Sequence, residues 1–135
     1  MKLYMLDTNT VSHLLREHPV VTKRIVAVPM ASLCIFAITE GELLFGLAKL
    51  PTAKRLHVAV RQFLRRVDVL PWNSSTAEHY GIVRADMEKR GKILASLDLL
   101  IASHALSVDA ALVTNDKAFS QMADLQIEDW CTAET

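Results

Sequence analysis

Four acidic residues, spread over the whole chain, stand where the secondary structure is expected to change. Asp7 follows an apolar run, residues 3–6, that is short for a helix and indicates a buried strand ending in an acid. Asp116 follows a second run of this kind, while Glu42 and Asp98 lie at the start of predicted helices. If the strands are parallel, all four carboxylates lie at the edge of the sheet where the strands end.

Carboxylates gathered at one edge would suit a hard divalent cation. Two like charges a few ångströms apart repel each other by about 4 kcal/mol at a surface-like dielectric constant, a cost that helix capping alone would not justify. Mg²⁺ and Mn²⁺ are matched to carboxylate oxygens and retained water. The four acids therefore predict a site for Mg²⁺ or Mn²⁺.

Each acid also has a purely structural explanation when it is taken alone. Asp7 and Asp116 could cap helices, and Asp98 could be a first-turn acid that the helix dipole favours. Glu42 could close a capping box that begins at Thr39. The metal-site prediction therefore depends on the four acids lying together.

Other common catalytic chemistries lack a pattern in this sequence. The five histidines show no H-x-x-x-H pair and no cysteine partner, so zinc is disfavoured and they are expected on the surface or in the core: His13, His18, His57, His79 and His104. No G-x-S-x-G motif is present for a serine nucleophile. Cys34 and Cys131 are expected to be buried or idle thiols in a reducing compartment.

The elements that must position the acids alternate between strands and helices along all 135 residues. This alternation predicts an α/β fold with a central, mostly parallel sheet of four to five strands and helices on both faces. The length and the 51% hydrophobic content fit one domain with one sizeable core. No signal peptide or membrane-spanning run is visible, so a soluble, cytoplasmic protein is expected.

The predicted helix over residues 53–66 carries a basic face in a chain whose net charge is zero. No acid occurs from residue 43 to residue 67, and six basic residues lie in this stretch: Lys49, Lys54, Arg55, Arg61, Arg65 and Arg66. The face is either an ordinary solvated surface or a surface that contacts RNA phosphates. Both interpretations stay open at the level of sequence.

Four motifs, taken in order, resemble the PIN-domain ribonucleases and most of all the VapC toxins of bacterial toxin–antitoxin pairs. They are DTN at residues 7–9, TEGELLFG at 39–46, DLLIASHAL at 98–106 and LVTNDKAF at 112–119. The resemblance implies a single PIN domain over residues 1–135 with a three-layer α/β/α fold. It also implies a Mg²⁺-dependent endoribonuclease that cuts structured RNA such as tRNA, forms a homodimer and is inhibited by a VapB-type antitoxin. Operator DNA would be contacted only through the antitoxin.

The resemblance also assigns roles to individual residues. Asp7 and Asp98 would hold the principal metal ion, and Glu42 and Asp116 would complete the site or bridge a second ion. Four polar neighbours would orient the carboxylates or the scissile phosphate: Thr8, Asn9, Thr114 and Asn115. RNA would be positioned by Arg61, Arg65 and Lys54.

Two rival functions and one interface hypothesis accompany this interpretation. A phosphatase with Asp7 as nucleophile is disfavoured, because Asn9 stands where a D-x-D arrangement needs its second acid. A PIN-like module that binds RNA or protein without catalysis remains the main alternative. The apolar content of residues 41–50 exceeds what one buried helix stripe needs, so part of this helix, among Phe45, Leu47 and Leu50, is expected to contact an antitoxin or a second subunit.

Overall fold

A five-stranded sheet forms the centre of the computed structural model, which describes residues 2–132. The described chain contains five strands and six α-helices: β1 Tyr4–Leu6, α1 Thr8–Leu15, α2 Pro19–Val26, β2 Leu33–Phe36, α3 Ala37–Lys49, α4 Lys54–Arg66, β3 Asp68–Leu70, α5 Ser74–Lys89, α6 Ser96–Ser107, β4 Ala111–Val113 and β5 Ile127–Glu128. Two short 3₁₀ helices, Met30–Ser32 and Lys117–Gln121, precede β2 and follow β4.

All neighbouring strands of the sheet are parallel, in the order β3-β2-β1-β4-β5. The carboxyl ends of the strands therefore meet at one edge, as the alternating pattern predicts. β1 lies at the centre, and Leu6, its last residue, pairs with Val113 at the end of β4. The predicted parallel sheet and α/β class are confirmed.

The two faces of the sheet bury alternate residues of the same strands. Met5 and Leu112 belong to a core that α5 and α6 cover, whereas Leu6 and Val113 belong to a core that α1, α2, α3 and α4 cover. This alternation is the period of a strand buried on both sides. The three-layer α/β/α arrangement follows from it.

The structural explanation offered for Glu42, a capping box that begins at Thr39, is wrong. α3 follows β2 without a loop, so that its cap position is Phe36 and Thr39 lies inside the helix, fully buried and without a hydrogen-bond partner for its hydroxyl within residues 2–132. No capping box therefore explains Glu42. The first helix, α1, is capped by Asp7.

Gly91 terminates α5. Gly91 has a φ of +68°, its amide donates to the Glu88 carbonyl at 3.0 Å, and the Lys92 amide donates to the Met87 carbonyl at 2.9 Å. This pair of hydrogen bonds is the Schellman motif, which needs a left-handed residue where only glycine is free of strain. The turn leads the chain into α6, which carries Asp98.

Within residues 2–132, no helix is long and apolar enough to cross a membrane. The predicted domain limits, residues 1 and 135, lie outside the described residues. The assignment of the whole chain to one domain stays a prediction.

Candidate active site

Asp7 lies at the carboxyl end of the central strand and is 5% exposed. It caps α1, because its Oδ1 accepts a hydrogen bond from the Thr10 amide at 2.8 Å. Its own amide donates to the Val113 carbonyl at 3.1 Å, which continues the β1–β4 pairing by one residue. Asp7 is therefore fixed at the middle of the edge where the strands end.

Asp116 reaches the same edge through β4. The Thr114 hydroxyl accepts a hydrogen bond from the Asp116 amide at 3.0 Å, and Asp116 Oδ1 accepts one from the Ala118 amide at 2.9 Å. Asp116 thus caps the 3₁₀ helix that follows β4, in the way that Asp7 caps α1. Both aspartates therefore do cap helices, as their structural explanation expects. Capping uses one carboxylate oxygen of each residue and leaves both carboxylates at the edge of the sheet.

Glu42 comes from α3, in the layer that also contains α1. Its Oε1 accepts a hydrogen bond from the Thr8 hydroxyl at 3.2 Å. Thr8 is the residue after Asp7, so this contact holds the Glu42 carboxylate beside the start of α1. The orienting role expected for Thr8 has its counterpart in this hydrogen bond.

Asp98 comes from the opposite layer, in the first turn of α6, and is half-buried. Burial raises the pKa of the Asp98 carboxyl, and the negative charges of Asp116, Asp7 and Glu42 raise it further. The charges of three acids from three other elements therefore act on Asp98. The structure places the four predicted carboxylates at the same edge of the sheet.

None of these four carboxylates forms an ion pair with a lysine or arginine of residues 2–132. The acids that form ion pairs lie elsewhere. Glu128 pairs with Lys2, and Glu88 and Asp86 pair with arginines of the α5 region. An acidic cluster without basic partners keeps its mutual repulsion unless a cation offsets it.

The donor atoms suit a hard metal ion, although their spacing is not that of a closed site. Across the described part of the chain, no three Asp, Glu, His or Cys side chains stand close enough to hold a metal ion. Hydrogen bonds to neighbouring groups engage one carboxylate oxygen each of Asp7, Asp116 and Glu42. The second oxygen of each acid is left for a ligand, and all-oxygen donor sets favour Mg²⁺ or Mn²⁺.

Of the other residues predicted to orient the carboxylates, Thr114 contacts one of the four acids, and no such contact is seen for Asn9 or Asn115 within residues 2–132. Thr114 is buried and supports Asp116 through its hydroxyl, whereas Asn9 and Asn115 are exposed. The Asn9 carbonyl accepts a hydrogen bond from His13 Nδ1 at 2.8 Å, and the Asn115 side chain lies within hydrogen-bonding reach of the Cys131 thiol. The roles of both asparagines stay predictions.

Cys131 is a neighbour of the site that the sequence analysis missed. Its Sγ lies 3.7 Å from His13 Nδ1, and burial raises the pKa of the thiol, with Asp129 and then Asp7 raising it further. The charge of Asp7 therefore acts on this thiol, which lies near the start of α1. A separation of 118 residues between Cys131 and His13 left no spacing signal for this contact.

The basic residues of α4 are exposed as predicted, including Lys54, Arg61 and Arg65. The opposite face of α4 packs into the core through Val60. A groove of about 450 Å³ runs between α1, α3 and α4, with Thr8 and Glu42 among its lining residues. The helix that carries the basic face therefore borders a groove that reaches Glu42.

The predicted apolar surface of α3 is divided between surface and core. Phe45 is 61% exposed and Leu50 is 52% exposed, but Leu47 is only 3% exposed and packs against the sheet. The assignment of Leu47 to an interface is wrong, because its helix face is the one that covers the core. Phe45 and Leu50 remain available to a partner.

Comparison with known proteins shows the family to which the chain belongs. The sequence model of the PIN domain matches residues 4–125 of the chain. The chain belongs to the PIN-domain family. A curated PIN-domain relative, the tRNA(fMet)-specific endonuclease VapC of Salmonella typhimurium, is 33% identical over 132 residues, which are 97% of this chain and 100% of the relative.

Solved PIN-domain structures agree with this assignment. The DNA-bound VapBC complex of Salmonella typhimurium contains a chain with a TM-score of 0.87 and 32% identity, which covers 97% of this chain and 100% of its own length. VapBC2 of Rickettsia felis, bound to a promoter DNA fragment, gives a TM-score of 0.85 and 30% identity with 95% and 98% coverage. The PIN domain described here is an endoribonuclease of the VapC class, and its family implies a divalent-metal-dependent reaction.

Proposed function

We propose that this protein is a Mg²⁺-dependent endoribonuclease toxin that cuts structured RNA such as tRNA in the cytoplasm and is neutralised by a VapB-type antitoxin. The observation that carries the proposal is the placement of four carboxylates at one edge of the sheet, from the ends of β1 and β4 and from α3 and α6, with no lysine or arginine of residues 2–132 paired to them. The relatives support the substrate and partner classes, since one is named as an endonuclease specific for tRNA(fMet) and others are solved as VapBC complexes.

In this proposal Asp7, Glu42, Asp98 and Asp116 hold Mg²⁺, with Mn²⁺ as a substitute. A bound divalent ion supplies an activated water and offsets the charge that develops on the scissile phosphate. The protein contributes by holding the carboxylates in place. Thr8 orients Glu42, and Thr114 orients Asp116 through the Asp116 amide.

The basic face of α4 is proposed to position the RNA beside the acids. Lys54, Arg61 and Arg65 are exposed and lie on a helix that borders the groove leading to Glu42. Contacts of this kind bind phosphates without reading the sequence, so that specificity must come from the shape and the accessible bases of the RNA loop.

The double substitution Arg61→Gln and Arg65→Gln is expected to weaken RNA binding and to reduce its salt dependence. Each lost phosphate contact to single-stranded RNA lowers the slope of log K against log salt concentration by about 0.7, so the expected change is about 1.4. Binding measured by fluorescence anisotropy over a series of salt concentrations checks this result.

Arg84→Gln with Arg90→Gln is the matched control, because both arginines pair with acids on α5. An unchanged salt slope for the α4 variant would show that its basic face is only solvated.

The groove between α1, α3 and α4 is proposed to receive part of the antitoxin. Its lining combines the polar residues Thr8, Asn9 and Glu42 with apolar residues that include Leu50 and Leu56, and it also contains Arg16 and Lys49. A segment that joins an apolar anchor to a basic side chain would fit the apolar residues and Glu42. Exposed Phe45 lies on the same helix, α3, and would extend the contact to the antitoxin or to a second subunit.

RNA cleavage by the purified protein with Mg²⁺, compared with Asp7→Asn and with a chelator, tests the proposed function. Asparagine caps helices about as well as aspartate, so Asp7→Asn should keep the fold. Its cleavage rate should nevertheless fall at least ~100-fold, since even groups that only orient metal ligands cost about 10- to 100-fold when removed.

The outcome separates the proposal from its main rival. Cleavage of tRNA that stops on addition of chelator and is absent from Asp7→Asn supports the nuclease. Tight RNA binding by the parent protein without any cleavage in Mg²⁺ or Mn²⁺ would instead support a module that binds RNA and does not cut it.

A further inference from the structure

Thr10 is a buried polar residue of α1 that the proposed chemistry does not use. It is 2% exposed and makes two hydrogen bonds with different elements. Its amide donates to Asp7 Oδ1 at 2.8 Å, and its hydroxyl donates to the Val113 carbonyl at 3.0 Å. The second bond joins residues that are 103 positions apart in the chain.

The direction of the Thr10 hydroxyl is unusual for a threonine at this helix position. Thr76 occupies the same position in α5, three residues after the cap residue Asn73, and is equally buried. Both the amide and the hydroxyl of Thr76 donate to Asn73 Oδ1, each at 3.0 Å. Thr10 has the same amide bond to its own cap, but its hydroxyl turns to the neighbouring strand.

This difference affects the carboxylate of Asp7. Because the Thr10 hydroxyl bonds to Val113, Asp7 Oδ1 accepts only the Thr10 amide, and Asp7 Oδ2 has no hydrogen bond within residues 2–132. The Val113 carbonyl in turn accepts both the Thr10 hydroxyl and the Asp7 amide, at 3.0 and 3.1 Å. The start of α1 is thus fastened to the end of β4 on both sides of Asp7.

The end of β4 is also the support of Asp116. Thr114 follows Val113, and its hydroxyl accepts the amide of Asp116, whose own Oδ1 accepts the amide of Ala118. A short buried path therefore leads from the Asp7 carboxylate through Thr10, Val113 and Thr114 to Asp116. The Thr10 hydroxyl is the side-chain link in this path between the two segments.

We propose that Thr10 is a positioning residue that sets the distance between the Asp7 and Asp116 carboxylates through its hydrogen bond to the Val113 carbonyl. The meaning of this distance for metal binding rests on the proposed function. Without the hydroxyl, the amide of Asp7 alone would hold the start of α1 to β4. The two carboxylates would then lose part of the geometry that a shared ion requires.

Thr10→Val and Thr10→Ser test this proposal, with Thr76→Val as the matched control. Valine keeps the branched shape without the hydroxyl, whereas serine keeps the hydroxyl without the methyl group. We expect Thr10→Val to bind Mn²⁺ about 10-fold more weakly in calorimetry, the size of effect seen when a ligand-orienting group is lost. Thr10→Ser and Thr76→Val should bind Mn²⁺ as the parent does.

A measurement without metal makes the result independent of the proposed function. In the presence of chelator, the amides of Asp7 and Asp116 should exchange with solvent about 5- to 10-fold faster in Thr10→Val, as expected for the loss of one typical hydrogen bond. Amides in α5 should be unchanged. Thr76→Val should show the reverse pattern, with faster exchange at the start of α5.

Mn²⁺ binding and amide exchange test different parts of the proposal, so that a negative result in each has its own meaning. If the parent does not bind Mn²⁺, the proposed metal site is wrong, and the exchange rates still decide whether Thr10 couples Asp7 to Asp116. Unchanged exchange at Asp116 in Thr10→Val would overturn the proposal. So would Mn²⁺ binding by Thr10→Val equal to that of the parent, since the hydroxyl would then serve only to satisfy a buried carbonyl.

Discussion

The Asp98→Asn protein is expected to cleave RNA at least ~100-fold more slowly than the parent and, without metal, to be more stable near neutral pH. The loss of activity follows from the removal of one of four proposed metal ligands, for which the loss of an orienting group alone costs about 10- to 100-fold. The gain in stability follows from the electrostatics of the apo site. Burial and three neighbouring acids oppose the charge of Asp98, so that its pKa is raised.

The pH dependence of this effect has a definite sign. Because the folded-state pKa of Asp98 lies above its ordinary value of 3.8, the folded protein holds the proton more tightly than the unfolded chain. The cost of the charge is absent below the unfolded pKa, develops as the pH rises through the folded pKa and is complete above it. The difference in melting temperature between variant and parent should therefore be largest near neutral pH and vanish in acid.

Two measurements check this prediction. Thermal unfolding in chelator over a series of pH values tests the gain in stability, and cleavage assays in Mg²⁺ test the loss of activity. Asp124→Asn is a suitable control, since Asp124 is exposed and does not act on Asp98. An Asp98→Asn protein that is less stable than the parent at neutral pH would show that Asp98 makes a favourable interaction instead. Parental cleavage activity would remove it from the metal site.

Glu42→Gln and Glu40→Gln are expected to differ in activity by at least ~100-fold, although the two residues are neighbours on α3. Two positions along a helix correspond to a rotation of about 200°. Glu42 faces the site, where it accepts a hydrogen bond from Thr8 and acts on Asp98, whereas Glu40 does neither. Glu42→Gln should therefore lose cleavage, and Glu40→Gln should retain it.

The Glu42→Gln protein should remain folded, because a glutamine oxygen can still accept the Thr8 hydroxyl. Cleavage rates and circular dichroism spectra of the two variants decide the matter. Equal loss of activity in both would indicate a general disturbance of α3. An active Glu42→Gln would reduce the site to three carboxylates.

Much of this arrangement could be predicted from the sequence because the signals are local. The short apolar runs that end in Asp7 and near Asp116 indicate buried parallel strands, and parallel strands bring their carboxyl ends to one edge. The role of Glu42 is harder to predict, since a threonine three residues before a glutamate resembles a capping box. The structure excludes that explanation, because the helix begins before Thr39.

The contacts that the sequence could not reveal all cross large separations along the chain. Cys131 approaches His13, and the Thr10 hydroxyl bonds to Val113, without any periodicity or motif that joins them. The spacing of the four proposed metal ligands is a further example. Pattern and resemblance predict which acids take part, but the hydrogen bonds that hold Asp7, Glu42 and Asp116 in their observed orientations depend on packing.

The central place of β1 in the sheet has a consequence for biosynthesis. The strand made first pairs on one side with β2 and on the other with β4, which is made more than a hundred residues later. Pairings between distant segments form late, because closing the long intervening loop costs conformational entropy before the new contacts contribute any stability. A nascent chain that ends before residue 111 lacks both β4, one of the two neighbours of β1, and the Asp116 carboxylate. Such a chain therefore carries an incomplete form of the proposed metal site, and we expect cleavage activity only after residue 116 has been made.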